Sequence, residues 1–197
     1  ASSEPYSFTI SKSPLEITAS SPTVSYGATK PTITASYAGL LNGDASSVVT
    51  GQSCDTVYTT TSPGGSLPAT SCSGGTATNY TISYVSGAVI INKVAPTLSL
   101  ELPANALTAT FGTAVVITAT VSKPGAVTFK SGGVEITGCA SVPATTTGTC
   151  NWTPNATNSA TVLTADFVPT DSTSYTSLTA AGSKTINVGK ATRSVTN

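Results

Sequence analysis

The sequence contains no histidine and no methionine, and only 8% of its residues are charged. Without histidine, neither a Ser-His-Asp nor a Cys-His arrangement can form, which excludes the commonest hydrolase sites. Eight basic residues balance eight acidic ones, so no net charge attracts nucleic acid or an anionic membrane. We therefore expect no nucleic-acid partner. Aromatic residues make up only 6% of the chain, too few to predict a stacking surface for sugars.

Long apolar runs are also missing. No apolar stretch reaches the roughly 18 residues that a membrane-spanning helix needs. The N-terminus lacks the basic-then-apolar pattern of a signal peptide. We therefore expect no membrane insertion in this segment, and we interpret it as a mature or internal part of a longer protein.

Motifs for other catalytic chemistries are absent from the sequence. It has neither a Ser-x-x-Lys dyad nor a glycine-rich phosphate loop. Paired carboxylates, as in glycosidases, remain a hypothesis for Asp44 with Asp55 and for Asp166 with Asp171. Scattered acids on turn-rich segments are more typical of solvated surface. We predict that the chain is not an enzyme and has no catalytic residue, no cofactor and no metal site.

One short phrase recurs three times along the chain. In each copy an alternating apolar run meets a lysine, passes a few small residues or prolines, and leads into a new alternating run. The copies span Phe8–Ile17, Val89–Leu100 and Thr185–Val195. Their lysines lie about 80 to 100 residues apart, which is the size of a small domain. A repeat of this length predicts a tandem array of modules.

The junctions divide the chain into domains. Residues 13–94 form a first predicted domain and residues 95–190 a second one. We interpret residues 1–12 as the last strand of a preceding module or an N-terminal strand. Residues 191–197 are interpreted as the start of a following module or a tail.

The pattern within each domain is that of β-strands. Apolar residues alternate with polar ones, for example at Leu163, Ala165 and Phe167. Clusters of Ser, Gly, Pro and Asn, such as Ser62–Gly65, separate the runs. We predict an all-β fold of two tandem immunoglobulin-like antiparallel β-sandwich domains. A closed barrel is the alternative.

The four cysteines divide two per domain, as Cys54 with Cys72 and Cys139 with Cys150. None has Cys-x-x-Cys spacing and histidine is absent, so zinc binding is not predicted. We predict structural disulfides in an oxidising, extracellular compartment, each stabilising its domain by about 3 kcal/mol. Cys139 and Cys150 flank a connection that contains Pro and Gly, so we expect them to join neighbouring strands across a hairpin loop. Four free thiols in a reducing cell are the alternative.

Two further features have both a structural and a functional interpretation. Gly27 after Tyr26, and the triplet Asn42–Asp44, have the composition of turns with positive φ, and a ligand-binding loop is the alternative. Trp152 follows Cys150 by two residues and should share its face of a strand. We predict a core position for this tryptophan, with an exposed sugar platform as the alternative.

The run from Pro14 to Lys93 resembles a known family. It contains Tyr26-Gly27, Gly39-Leu40, Asn42-Gly43-Asp44 and Asn79-Tyr80 in that order. With these residues it resembles the MBG type of bacterial immunoglobulin-like repeat.

The run from Ala95 to Lys190 resembles another bacterial immunoglobulin-like repeat. The similarity is carried by Phe111–Val121, by Gly125–Gly133 and by Ile136–Cys139. Both resemblances imply β-sandwich modules of secreted or cell-surface bacterial proteins, often adhesins, where such modules space and present other domains. They imply no catalytic residues.

Two crosslinking hypotheses remain from the sequence. One hypothesis is a calcium site at a domain end formed by Asp166 and Asp171, but the Asp-x-Asp-x-Asp-Gly pattern is missing and solvated turn acids are the default interpretation. The family resemblance implies that some such modules carry Lys-to-Asn isopeptide bonds, for which Lys130 or Lys184 would qualify. Buried acids are scarce here, and each domain already has a cysteine pair.

We predict a structural spacer or stalk segment of a bacterial cell-surface or secreted protein, of the adhesin class. Its partners would be the neighbouring modules of the same chain. One alternative is an extracellular filament subunit that binds copies of itself by exchange of terminal strands. Another is a carbohydrate- or protein-binding module, although no cluster of aromatic residues or carboxylates indicates its ligand.

Overall fold

The computed structural model describes residues 8–155 and 160–191. The fold is all-β, and the chain divides into two compact units, Ala1–Asn92 (unit 1) and Lys93–Asn197 (unit 2). The helical segments of the described residues are two short 3-10 turns, Ser46–Val48 and Pro103–Asn105, and neither is long enough to cross a membrane. The predicted terminal segments lie partly outside the described residues.

Short strands build the described part of unit 1. They are β1 (Ser13–Ala19), β2 (Thr23–Ser25), β3 (Ala35–Ala38), β4 (Ser53–Thr56), β5 (Ala69–Ser73), β6 (Tyr80–Val85), β7 (Gly87–Ala88) and β8 (Ile90–Asn92). They form three small sheets in the orders β3-β1-β6, β2-β8 and β4-β5-β7.

The core of unit 1 forms around β1. Alternation in its sequence places Leu15 and Ile17 inward, and both are fully buried. Tyr58 joins the same apolar cluster, as do Val89 and Ile91 from the end of the unit. Residues from the start and the end of the unit therefore share one core.

Longer strands build the described part of unit 2. They are β9 (Leu98–Glu101), β10 (Thr108–Thr110), β11 (Val115–Val121), β12 (Gly125–Ser131), β13 (Val134–Glu135), β14 (Val142–Ala144), β15 (Thr147–Trp152), β16 (Ala160–Pro169) and β17 (Leu178–Gly189). One sheet has the order β10-β17-β16-β12-β13, with β14 also paired to β12, and the other has the order β15-β11-β9.

Both sheets of unit 2 contribute to one core. Phe129, Phe167 and Ile186 of the larger sheet are fully buried in the same cluster as Ile117 and Ala119 of the smaller sheet. The alternating pattern at Leu163, Ala165 and Phe167 of β16 therefore marks the buried face, as the sequence predicts.

Not all strand pairs are antiparallel, which corrects the expectation from the sequence. Strand β1 pairs in parallel with β6, β2 with β8, and β10 with β17. In each unit the second strand thus lies parallel to the last. A proline precedes that second strand in both units, at Pro22 and at Pro103. Because proline has no N–H for the ladder, it ends the first pairing, and the chain then joins another sheet.

Candidate functional site

The Cys54–Cys72 disulfide joins two adjacent strands of unit 1. The two cysteines lie directly opposite each other in the antiparallel pair of β4 and β5, with their Cα atoms 4.0 Å apart. Cys72 is buried, whereas Cys54 is half-buried. The bond therefore fastens β4, which has β5 as its strand partner, to the rest of its sheet.

A hydrogen-bond chain extends from this disulfide to a second sheet of unit 1. The Gln52 amide Nε2 donates to Cys54 Sγ over 3.2 Å, and the Tyr37 hydroxyl donates to Gln52 Oε1 over 2.7 Å. Tyr37 belongs to β3 and Cys54 to β4, so the chain connects two sheets. This contact was not predicted from the sequence, because it joins residues 15 apart that belong to no motif.

The Cys139–Cys150 disulfide differs from the expected hairpin staple. Cys150 lies on β15 of the smaller sheet, but Cys139 lies in a turn after β13. The Cys139 carbonyl accepts a hydrogen bond from the Phe129 N–H of β12, in the larger sheet. Strand β15 pairs with β11, so the disulfide joins the two sheets rather than two hairpin strands. The prediction was wrong because chain proximity does not determine which strands pair.

Trp152 lies in the core of unit 2, as predicted. It is 4% exposed, and Cys150, two residues earlier on β15, is 3% exposed. Both side chains therefore lie on the inner face of the strand, beside the disulfide. The alternative interpretation as an exposed sugar platform is not supported by this burial.

The triplet Asn42–Asp44 is a tight turn. Asn42 and Gly43 have φ values of 56° and 80°, and the Asp44 N–H donates to the Leu41 carbonyl. The Tyr80 hydroxyl donates to Asp44 Oδ2 over 2.6 Å and accepts from the Leu41 N–H. The carboxylate of Asp44 raises the pKa of Tyr80, because it stabilises the protonated hydroxyl. The polar groups of this turn thus make contacts within unit 1.

The acids considered for calcium binding make separate contacts. Asp166 forms an ion pair with Lys130, and its Oδ1 accepts from the Ala180 N–H. The bond from Lys130, followed by that from Ala180, lowers the pKa of Asp166. Asp171 instead accepts bonds from Thr173 within its own turn, which lower its pKa. Among the described residues, no three metal-ligating side chains cluster.

The junction lysine at the start of unit 1 anchors the chain to a turn. Lys12 Nζ donates to the Ala77 carbonyl over 3.2 Å, and the Ser13 N–H donates to the Asn79 carbonyl over 2.9 Å. Ser13 then pairs in parallel with Tyr80. The lysine thus contacts the third residue before a tyrosine.

Unit 2 contains the same anchor at its own junction lysine. Lys93 Nζ donates to the Ser172 carbonyl over 2.7 Å, and the Val94 N–H donates to the Ser174 carbonyl over 3.0 Å. Val94 forms a parallel bridge with Tyr175. Again the lysine contacts the third residue before a tyrosine. The turns read Thr-Asn-Tyr-Thr at 78–81 and Thr-Ser-Tyr-Thr at 173–176, a similarity that sequence analysis missed.

The larger surface clefts of the described residues offer little chemistry. One, of about 500 Å³, lies beside β10 and β17 and is lined by neutral residues such as Thr108 and Asn187. Another, of about 520 Å³, contains Glu135 as its one titratable side chain. Acid–base catalysis by a carboxylate pair needs two such groups at one place. Neither cleft brings together Asp44 with Asp55, or Asp166 with Asp171.

Comparison with known proteins identifies part of unit 1. Residues 15–89 match the family model of the MBG domain (YGX type). The match contains Tyr26-Gly27, where Gly27 has a φ of 80° and the Ala28 N–H donates to the Ser25 carbonyl in a turn. No curated protein matches the chain. Residues 15–89 therefore form an MBG-type module within an all-β chain.

Proposed function

We propose that this chain is a structural spacer segment of a bacterial cell-surface or secreted protein, of the kind that presents an adhesive domain. The carrying observation is the MBG-type match over residues 15–89, because MBG-type domains are repeat modules of bacterial surface proteins. We further propose that unit 2 is a second immunoglobulin-like module of a tandem array.

The repeated lysine anchor supports the tandem array. Lys93 lies outside the matched residues, yet its contacts with the turn before Tyr175 reproduce those of Lys12 with the turn before Tyr80. A sandwich fold for unit 2 is supported by two sheets that share one core. A disulfide between sheets beside a buried tryptophan is also a feature of immunoglobulin domains.

An extracellular location is supported by the two disulfides. Both bonds are formed within single units, and such bonds persist in oxidising compartments. We also propose that the chain is not an enzyme, a proposal supported by the two larger clefts of the described residues, neither of which is lined by more than one titratable side chain. Hydrolysis assays on glycoside and ester substrates should give no turnover above the level of a Glu135→Gln variant.

The experiment that tests the spacer is a measurement of mass and shape in solution under oxidising conditions. Light scattering should give a monomer across a hundredfold range of concentration. Small-angle X-ray scattering should give a maximum dimension near the summed lengths of two such units. A compact particle with the dimensions of a single globule would contradict the spacer.

A filament subunit is the second candidate, and one observation favours it. Phe8 and Ile10 precede β1 and are 90% and 94% exposed. Exposed alternating apolar residues are suited to strand addition in another molecule. Growth into linear polymers with increasing concentration would replace the spacer with this candidate.

A further inference from the structure

The recurring phrase has two halves with different contacts. Counting back from its lysine, the second and fourth preceding residues are apolar in all three copies. These residues are Ile10 and Phe8, Ile91 and Val89, and Val188 and Ile186. A spacing of two places both side chains on one face of an extended chain.

The apolar half closes a unit. Val89 and Ile91 are 0% and 3% exposed and belong to the core of unit 1, where β8 pairs in parallel with β2. Ile186 and Val188 are also 0% and 3% exposed and belong to the core of unit 2, where β17 pairs in parallel with β10. In both described units, the same two positions fill the core beside the second strand.

The lysine half opens a unit. Lys12 and Lys93 each bind the carbonyl three residues before a tyrosine, at the start of unit 1 and of unit 2 respectively. In the copy around Lys93, both halves therefore make contacts: the apolar residues pack in the core of unit 1, and the lysine binds a carbonyl of unit 2. In the copy around Lys12, the lysine binds the Ala77 carbonyl, but Phe8 and Ile10 are almost fully exposed.

From this difference we propose that Phe8–Lys12 is a docking strand for a further β unit. The partner is a unit of the kind formed by residues 93–190 whose last strand stops before the positions of Ile186 and Val188, joined in the same polypeptide ahead of Phe8. Phe8 and Ile10 occupy in its core the places of Ile186 and Val188 of unit 2. The segment lies parallel to the second strand of the partner, as β17 does to β10. This inference rests on the tandem array proposed above.

The described units of the same molecule do not serve as this partner. Their corresponding positions are already filled by Val89 with Ile91 and by Ile186 with Val188. A sheet partner also fits the spacing better than a membrane does, because only one face of the segment is apolar and Thr9 and Ser11 lie on the other.

The test is a fusion that supplies such a partner. An incomplete copy, residues 93–185, replaces residues 1–7 and is joined directly to Phe8, and the rest of the chain is unchanged. Hydrogen exchange followed by mass spectrometry reads the amides of residues 9–11. We expect their exchange to be at least tenfold slower than in the chain without the added copy. A complete copy, residues 93–191, joined at the same place should leave exchange fast, because its own last strand occupies the position.

Variants separate docking from nonspecific protection. The Phe8→Ser/Ile10→Ser double variant should abolish the slowing, whereas the matched Thr9→Ser change on the opposite face should retain it. Unchanged exchange with the incomplete copy would overturn the inference, as would slowing that survives the double substitution. If the exchange of residues 9–11 slowed only in a Phe8→Ile/Ile10→Val variant of this fusion, the assignment of Phe8 and Ile10 to the core of a unit like unit 2 would be overturned. Slowing that depends on concentration would overturn the same-polypeptide partner in favour of a second molecule.

The fusion test is independent of the spacer test. Mass and scattering are measured on the unfused chain. A chain that fails as a spacer can still dock Phe8 and Ile10, and a spacer can leave them exposed. The two failures are therefore distinguishable.

Discussion

Removal of the Cys139–Cys150 disulfide should destabilise unit 2 strongly. The bond closes a loop with a sequence separation of 11 residues. In the chain-entropy model, a loop of this length corresponds to about 2.8 kcal/mol of stabilisation. Both cysteines are also buried, at 4% and 3% exposure, so a change to alanine leaves space in the core. That loss adds about 1 kcal/mol, for a total of about 4 kcal/mol.

The matched control is the Cys54→Ala/Cys72→Ala variant of unit 1. Its loop is longer, with a separation of 18, which corresponds to about 3.2 kcal/mol in the same model. Cys54 is only half-buried, so less packing is lost. We therefore expect a similar or smaller destabilisation, confined to unit 1.

Trp152 allows the two effects to be separated. It is the single tryptophan of the chain and lies in the core of unit 2, so its fluorescence reports the unfolding of that unit. The Cys139→Ala/Cys150→Ala variant should lower the midpoint of its thermal transition by roughly 15 to 30 °C for a domain of this size. The control variant should leave that transition in place. An unchanged tryptophan transition in the first variant, or an equal shift in both, would refute the reasoning.

Three further outcomes are expected. Phe129→Ala should cost about 3 to 5 kcal/mol, because this fully buried ring lies in the core of unit 2, and urea titration of Trp152 fluorescence measures it; a loss below 1 kcal/mol would contradict the core assignment. Lys93→Met should lower the free energy of unfolding of unit 2 alone by about 1 kcal/mol, and Lys12→Met should lower that of unit 1 by a similar amount, because each variant loses one hydrogen bond. Calorimetry measures both changes. Unchanged stability of both variants would show that the lysine anchors do not stabilise the units. The pKa of Asp166 is lowered from 3.8 on folding, so its contribution is present above that pH and is lost as the pH falls through the folded pKa. Denaturant titration should show a shallower acid loss in Asp166→Asn, and an identical slope would contradict it.

The alternation of apolar and polar residues in the sequence predicts which residues are buried. It does not predict which strands pair. Alternation at Leu163, Ala165 and Phe167 marks three fully buried side chains, because a period of two assigns each residue to one face of a strand. The same period carries no information about strand direction or partner. The parallel pairing of β2 with β8 and of β10 with β17 was therefore not predicted.

The contacts around the cysteines show the same limit. Counting cysteines favours one pair in each half of the chain, but the place of Cys139 against β12 depends on how the two sheets of unit 2 face each other. The bond from Tyr37 to Gln52 also requires the folded sheets, since neither residue type signals it. The lysine anchors were missed because each joins a junction to a turn near the other end of its unit.

The parallel pairing of the second and last strands has a mechanical consequence. When a unit is pulled by its two ends, strands that run in parallel and leave toward opposite ends slide along each other. The hydrogen bonds between them are then loaded together by shear, rather than opened one at a time as in an antiparallel hairpin peeled from its open end. Both β2 with β8 and β10 with β17 have this arrangement. Each unit should therefore resist tension most strongly along the direction in which a tethered chain is stretched.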